Sequence, residues 1–177
     1  MAFPSFASGD VLLASDMNAV GLWLVKTQTI GTAVSSVQVT GAFSSTYDHY
    51  LITVGGGTSS ATSNARLKIG TATTQYNSNL IYSTYAAAAP AAVAQSNVNA
   101  YFDWMGHFSS STLSFYVIVR NPNLAKYTHV NGTFDNGTDV GNSIGVLKDT
   151  TQHTEFTISP ASGTLTGGTI RVYGYRN

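Results

Sequence analysis

The chain is 177 residues long, 18.6 kDa, which suits one domain with a full hydrophobic core. Only 9% of its residues are charged, Lys+Arg and Asp+Glu stand at 8 each, and the net charge is zero. So little charge gives no long-range field with which to hold a polyanion, so nucleic acid is not an expected partner, and a neutral surface favours self-association. Cysteine is absent, which excludes disulfides, thiolate nucleophiles and Cys-ligated zinc together.

Glutamate occurs once, at Glu155, while Thr and Ser are abundant and Gly and Tyr number 17 and 10. Strong helix formers are therefore scarce, and β-branched, aromatic and turn residues take their place. No Lys or Arg precedes Lys26, so a basic signal region is lacking. The longest apolar run, Tyr85 to Ala94, is broken by Pro90 and falls short of the ~18 residues of a membrane span. A soluble, non-exported chain without membrane insertion is expected.

In chain order, Phe3-Pro4 and Phe6 read as extended and Gly9-Asp10 as a turn. Ser15 or Asp16 then caps a short helix from Met17 to Val25 carrying Met17, Val20, Leu22, Trp23 and Leu24. Residues 1–30 are thus expected to form an apolar arm, either folded over the domain's own end or docked to partner chains. Strands are predicted at Val34–Thr40, His49–Val54, Ala65–Ile69, Asn79–Thr84, Val98–Trp104, Leu113–Arg120, Tyr127–Phe134, Ser143–Lys148 and Glu155–Ser159, with a last one around Ile170 and Val172. Ala86 to Ala94 reads as an Ala/Pro loop. Leu113–Arg120 is apolar on both faces, so it is either covered twice within the domain or packed on another subunit.

Turn signals at Gly55-Gly56-Gly57, Asn121-Pro122-Asn123, Asn131-Gly132, Asn136-Gly137, Ser162-Gly163 and Gly167-Gly168 separate these runs. Nine to eleven short strands with no helical pattern between them predict an all-β fold, an antiparallel jelly-roll-like β-sandwich over residues 31–177.

Motifs for chemistry are weak. Gly141-Asn142-Ser143-Ile144-Gly145 matches the nucleophile pattern of hydrolases, with Asp149 and His153 following. That motif needs a strand–turn–helix elbow, and here Val146-Leu147 continues as strand. His49, His107, His129 and His153 lack metal-ligand spacing. Asp135-Asn136-Gly137-Thr138-Asp139 resembles part of a calcium loop without its terminal glutamate, so a turn is the simpler reading. No catalytic residue, metal or cofactor is expected. Tyr76, Tyr82, Tyr85, Tyr101 and Tyr127 sit among Asn, Ser and Thr, a composition that serves either rim packing or recognition of sugar or protein with little charge.

The opening Phe6-Ala7-Ser8-Gly9-Asp10-Val11-Leu12-Leu13-Ala14-Ser15-Asp16-Met17-Asn18 resembles the N-terminal segment of many tailed-bacteriophage tail, fibre and minor structural proteins. The closing Gly168-Thr169-Ile170-Arg171-Val172-Tyr173-Gly174-Tyr175-Arg176-Asn177 is similar to the final strand of small phage jelly-roll proteins, and Phe43 with Tyr47-Asp48-His49-Tyr50 and Leu51-Ile52-Thr53-Val54 fits the same group. Gly55 to Leu147 is unmatched. The resemblance implies a virion structural protein, assembled in the bacterial cytoplasm. It also implies a homotrimeric sandwich, an N-terminal anchor to other phage structural proteins of the tail, collar or capsid, and distal loops that meet the host surface. Combined with the composition, it points to a non-enzymatic tail or fibre component. Phe3, Phe6, Val11, Leu12, Met17, Leu22 and Trp23 are its docking residues, and the five tyrosines are candidate contacts to a host glycan or protein. A head decoration or head-fibre protein that stabilises the capsid is the alternative.

Overall fold

Alternation with a period of two decides which side chains turn inward. Tyr50, Ile52 and Val54 are buried, as are Leu67, Ile69, Ile170 and Val172, while their sequence neighbours lie toward solvent. The computed structural model describes residues 8–9, 21–96, 99–111 and 113–175. Among these the chain forms β1 (Leu22–Thr29), β2 (Val37–Val39), β3 (His49–Gly55), β4 (Thr58–Ser59), β5 (Ser63–Ile69), β6 (Tyr76–Thr84) and β7 (Ala87–Ser96). These are followed by β8 (His107–Phe108), β9 (Ser114–Arg120), β10 (Thr128–Asp135), β11 (Asp139–Leu147), β12 (Phe156–Pro160), β13 (Leu165–Thr166) and β14 (Thr169–Tyr175).

All pairings are antiparallel. One sheet has eight strands in the order β1-β14-β3-β9-β10-β11-β6-β7, a second has four in the order β2-β12-β5-β8, and β13 pairs with β4 alone. The fold is an all-β sandwich, as expected. It is unequal, eight strands facing four, where a jelly roll divides eight strands between two sheets. The inner faces meet in one buried cluster that includes Tyr50, Ile52, Val117, Val130, Leu147 and Val172 of the larger sheet and Val39, Leu67, Ile69, Phe156 and Ile158 of the smaller. Burying each such side chain contributes about 1.5–3 kcal/mol, which is how a chain without staples holds together.

Four expectations are corrected. The helix expected over Met17–Val25 does not form across Leu22–Val25, which begins β1. That segment pairs with β14 through Leu22 to Tyr175 and Leu24 to Tyr173, with a bulge between Leu24 and Lys26. The open edge of β14 supplies a ladder that a short amphipathic helix could not match. The Ala/Pro run is not a loop but β7, an edge strand on β6, where Pro90 is tolerated because an edge need not donate on both sides. Asn131-Gly132 lies inside β10 and turns nothing. Residues 99–104 form no strand of their own and instead bend between the sheets.

Tyr76 is the fifth correction. It is wholly buried, so it presents nothing to a receptor. Its ring meets Phe102 edge-on at 4.8 Å, and its hydroxyl accepts from the Ile69 N–H at 2.9 Å and donates to the Ile69 carbonyl at 3.1 Å. Burial pushes its pKa well above the ordinary phenol value despite that backbone bond. Tyr76→Phe leaves the buried Ile69 N–H unmet, while the Ile69 carbonyl keeps the Ala72 N–H at 3.3 Å, and should lower unfolding free energy by about 1–3 kcal/mol, measured by urea titration.

Candidate functional site

The backbone from Phe102 to Phe108 departs from regular pairing. Phe102 and Leu67 exchange both backbone hydrogen bonds, at 2.8 and 3.0 Å, so the segment begins as a partner of β5. Ala65 is then bonded to two residues rather than one, accepting from Met105 N–H at 3.0 Å and donating to the Gly106 carbonyl at 2.9 Å. Regular pairing resumes with Asn64 opposite His107 and Ser63 opposite Phe108. Asp103 and Trp104 are therefore extruded as a bulge.

Trp104 has φ 59°, a left-handed conformation rare for a bulky side chain and costing ~1–3 kcal/mol. Two contacts hold it there. The Asp103 carboxylate accepts from the Trp104 N–H at 3.0 Å, and the buried Ser143 hydroxyl of β11 donates to the Trp104 carbonyl. Glycines in the middle of strands make room for the same segment. A Cβ at Gly145 would strike the Phe102 ring, and one at Gly132 would strike the Tyr116 carbonyl of β9 and crowd the Met105 carbonyl. The Gly-x-Ser-x-Gly match is thus explained structurally, with Ser143 an anchor for the bulge and Gly145 a berth for Phe102.

The bulge borders a cleft of about 210 Å³ where the larger sheet overhangs the smaller. Leu80 and Tyr82 of β6, Val93 of β7 and Phe134 of β10 come from the inner face of the larger sheet, and Asn64 comes from β5. Trp104 comes from the bulge, and Asn136 and Asp139 come from the β10–β11 turn. That turn is ordered by its own side chains. Asn136 Oδ1 accepts from the N–H groups of Thr138 and Asp139 at 2.9 and 2.7 Å, and its Nδ2 donates to Asp139 Oδ2 at 2.8 Å. Asn136 Oδ1 and Asp135 Oδ1 are thus taken up within this turn, Asp135 accepting from the Gly137 N–H at 2.9 Å. No cluster of three or more His, Cys, Asp or Glu is placed to hold a metal among the described residues.

The outer face of the eight-stranded sheet forms a second surface. Register places Leu24, Tyr173, Leu51, Ile118, Asn131, Ile144, Asn79 and Ala94 in one row across all eight strands. Leu24 is 56% exposed and Ile144 52%, and Ile81, Val140 and Tyr116 add exposed apolar surface in neighbouring rows. A shallow trough of about 520 Å³ runs along this face between Asn79, Ala94, Arg120, His129 and Ile144. The two-faced run Leu113–Arg120 forms β9 from Ser114 onward. Phe115, Val117 and Val119 are buried, whereas Tyr116 and Ile118 look out onto the open face.

The remaining expected residues scatter. Phe3, Phe6, Val11, Leu12 and Met17 lie outside the described residues. Leu22 is exposed at the start of the edge strand β1, and Trp23 beside it is half-buried, with an indole N–H that meets no partner. Tyr82 lines the cleft. Tyr85 is 62% exposed in the β6–β7 turn and donates to Asp135 at 3.2 Å. Tyr127 is exposed at the β9–β10 connection, and Tyr101 lies under the Arg66 guanidinium at 4.3 Å. Tyr82 and Tyr85 both flank the β10–β11 turn. Trp104 is the residue that sequence reasoning placed wrongly, as a strand position, and only the 99–108 stretch with Gly106 after Trp104 hints at an irregularity.

His153 is buried with Nε2 3.3 Å from Asp149 Oδ2. Burial pulls its pKa below the ordinary value and outweighs the opposing attraction of Asp149. Burial would raise the Asp149 carboxyl, yet hydrogen bonds from Thr151 together with His153 hold it below the usual range. Burial lowers His107 as well, with Asp135 opposing. A histidine depressed in the folded state binds its proton more readily when unfolded. The stability is therefore complete above the unfolded pKa of 6.5 and is lost as pH falls through it toward the folded value. The urea midpoint should drop between pH 7.5 and about 5.5. His153→Gln should flatten that dependence in part, with His107 supplying the rest.

No protein-family model matches the chain, and no curated protein matches it. A neighbour among solved structures is the infectious bursal disease virus VP2 subviral particle, at TM-score 0.15 and 6% identity over 89% of this chain. The aligned part is 42% of that chain, and the likeness is too slight to carry an argument.

Proposed function

We propose that this protein is a non-enzymatic structural component of a bacteriophage virion, of the tail or fibre class. In this reading it assembles with copies of itself through the outer face of the eight-stranded sheet. Its N-terminal arm anchors it, and the sandwich recognises a host-surface glycan or protein. The observation that carries the self-assembly is the apolar row from Leu24 to Ile144 on a sheet face that no other element covers among the described residues. Zero net charge removes the repulsion that keeps such faces apart. The opening and closing motifs favour the virion, since they resemble those of phage tail and minor structural proteins.

Light scattering on the purified chain should give a multiple of 18.6 kDa, with the homotrimer the expected state. Ile144→Asp should shift it toward the monomer without changing the β-sheet circular dichroism. A wild-type monomer at high micromolar concentration would remove the self-assembly reading.

Deleting residues 1–20 leaves β1 intact, so the sandwich should still fold. Incorporation into particles should be lost, checked by immunoblot of purified virions. Cryo-electron microscopy of those particles distinguishes the two stations: density at the tail or collar supports the fibre reading, and density spread over the head supports a decoration protein.

A further inference from the structure

We infer that the cleft beside the Trp104 bulge binds a neutral sugar, one pyranose unit of a surface polysaccharide; this deepens, and rests on, the host-recognition reading above. A pyranose presents an apolar C–H face and a rim of hydroxyls that both donate and accept. Its site therefore needs aromatic surface flanked by amides and a carboxylate, with little need for cations. Tyr82 and Trp104 line this cleft as the aromatic surface, with Asn64 and the Asp139 carboxylate as the polar groups, while the Asn136 amide is engaged in ordering its turn. No Lys, Arg or His lines it among the described residues, which disfavours a phosphate or a sulfated sugar, and the Asp139 carboxylate repels acidic ones. The volume of about 210 Å³ falls below the ~300–1,000 Å³ of sites for larger small molecules and suits a single ring.

The cleft is also preorganised. Trp104 is held in a left-handed conformation by Ser143 and Asp103, and Asn136 and Asp139 are locked to each other across their turn. Backbone strain at a bulky aromatic, kept in place by a buried hydroxyl from the opposite sheet, is the kind of feature that persists at ligand sites. Groups already fixed lose little freedom on binding, so weak neutral contacts suffice.

The test uses the full chain carrying Trp23→Phe, which removes an unpartnered indole N–H and leaves Trp104 as the sole tryptophan. The methyl glycosides of glucose, galactose, mannose, N-acetylglucosamine and rhamnose are titrated at millimolar concentration while tryptophan emission and saturation-transfer NMR are recorded. At least one sugar should shift the emission and receive saturation. Asn64→Ala and Tyr82→Ala should each weaken it about tenfold or more, with circular dichroism unchanged. No response to any sugar, or a response unaltered in both variants, overturns the inference. In parallel, labelled wild-type protein is added to a panel of intact bacteria, before and after periodate or protease treatment. Cell binding that survives periodate and is lost to protease, without sugar response, overturns the sugar site and leaves host recognition standing. A sugar response without cell binding upholds the site and overturns the recognition reading. Absence of both overturns both.

Discussion

The fold depends on a wedge. The segment from Phe102 to Phe108 pairs with β5 of the smaller sheet, presses Phe102 and Met105 toward the larger one, and is tied there by Ser143. Both sheets are shaped around it. Gly132 and Gly145 stand in the middle of β10 and β11, where glycine normally weakens a strand: the Phe102 ring of the wedge occupies the side-chain space of Gly145, and the Tyr116 carbonyl of β9, with the Met105 carbonyl behind it, occupies that of Gly132. The loss of strand propensity at those two positions is offset by the burial of Phe102 and Met105, which are 0% and 1% exposed.

The wedge also explains why the two sheets are unequal. The smaller sheet ends at the two-residue strand β8, while the larger continues through β11 and β6 to β7. The inner face of that overhang is left partly uncovered, and Val93 is 37% exposed there. The cleft with Tyr82 and Trp104 is the result. On the other side of the same sheet nothing among the described residues covers the apolar row, so the overhanging sheet has one face shaped for a small ligand and one suited to another protein surface. A single asymmetry of packing produces both.

Much of the candidate site was illegible beforehand for a physical reason. Tyr76 and Tyr82 sit six residues apart in one stretch rich in Asn and Ser, yet β6 turns one into the core and the other into the cleft. Burial depends on how far the opposing sheet reaches, which local pattern does not encode. Trp104 alternated correctly with Asp103 and Phe102 and so read as strand. Its extrusion follows from the register of Ala65 against two residues, a long-range fact. The Gly-x-Ser-x-Gly match, set aside in the sequence because no elbow follows it, has a tertiary reason that local pattern does not show: Gly145 answers to Phe102 forty-three residues earlier and Gly141 to Tyr82 and Ile81.

The sequence by itself determined the all-β class, the inward side chains of β3, β5 and β14, and the turns at Gly55-Gly56-Gly57, Asn136-Gly137 and Gly167-Gly168. Those follow from alternation and turn chemistry, which act over a few residues. Only the tertiary structure decided that Leu22–Thr29 joins β14 as a strand, that the alanine run closes the other edge, and that Trp104 leaves the ladder beside a cleft. Each of those depends on an unpaired edge or an occupied volume supplied by residues far away in the chain, and no local pattern carries that information.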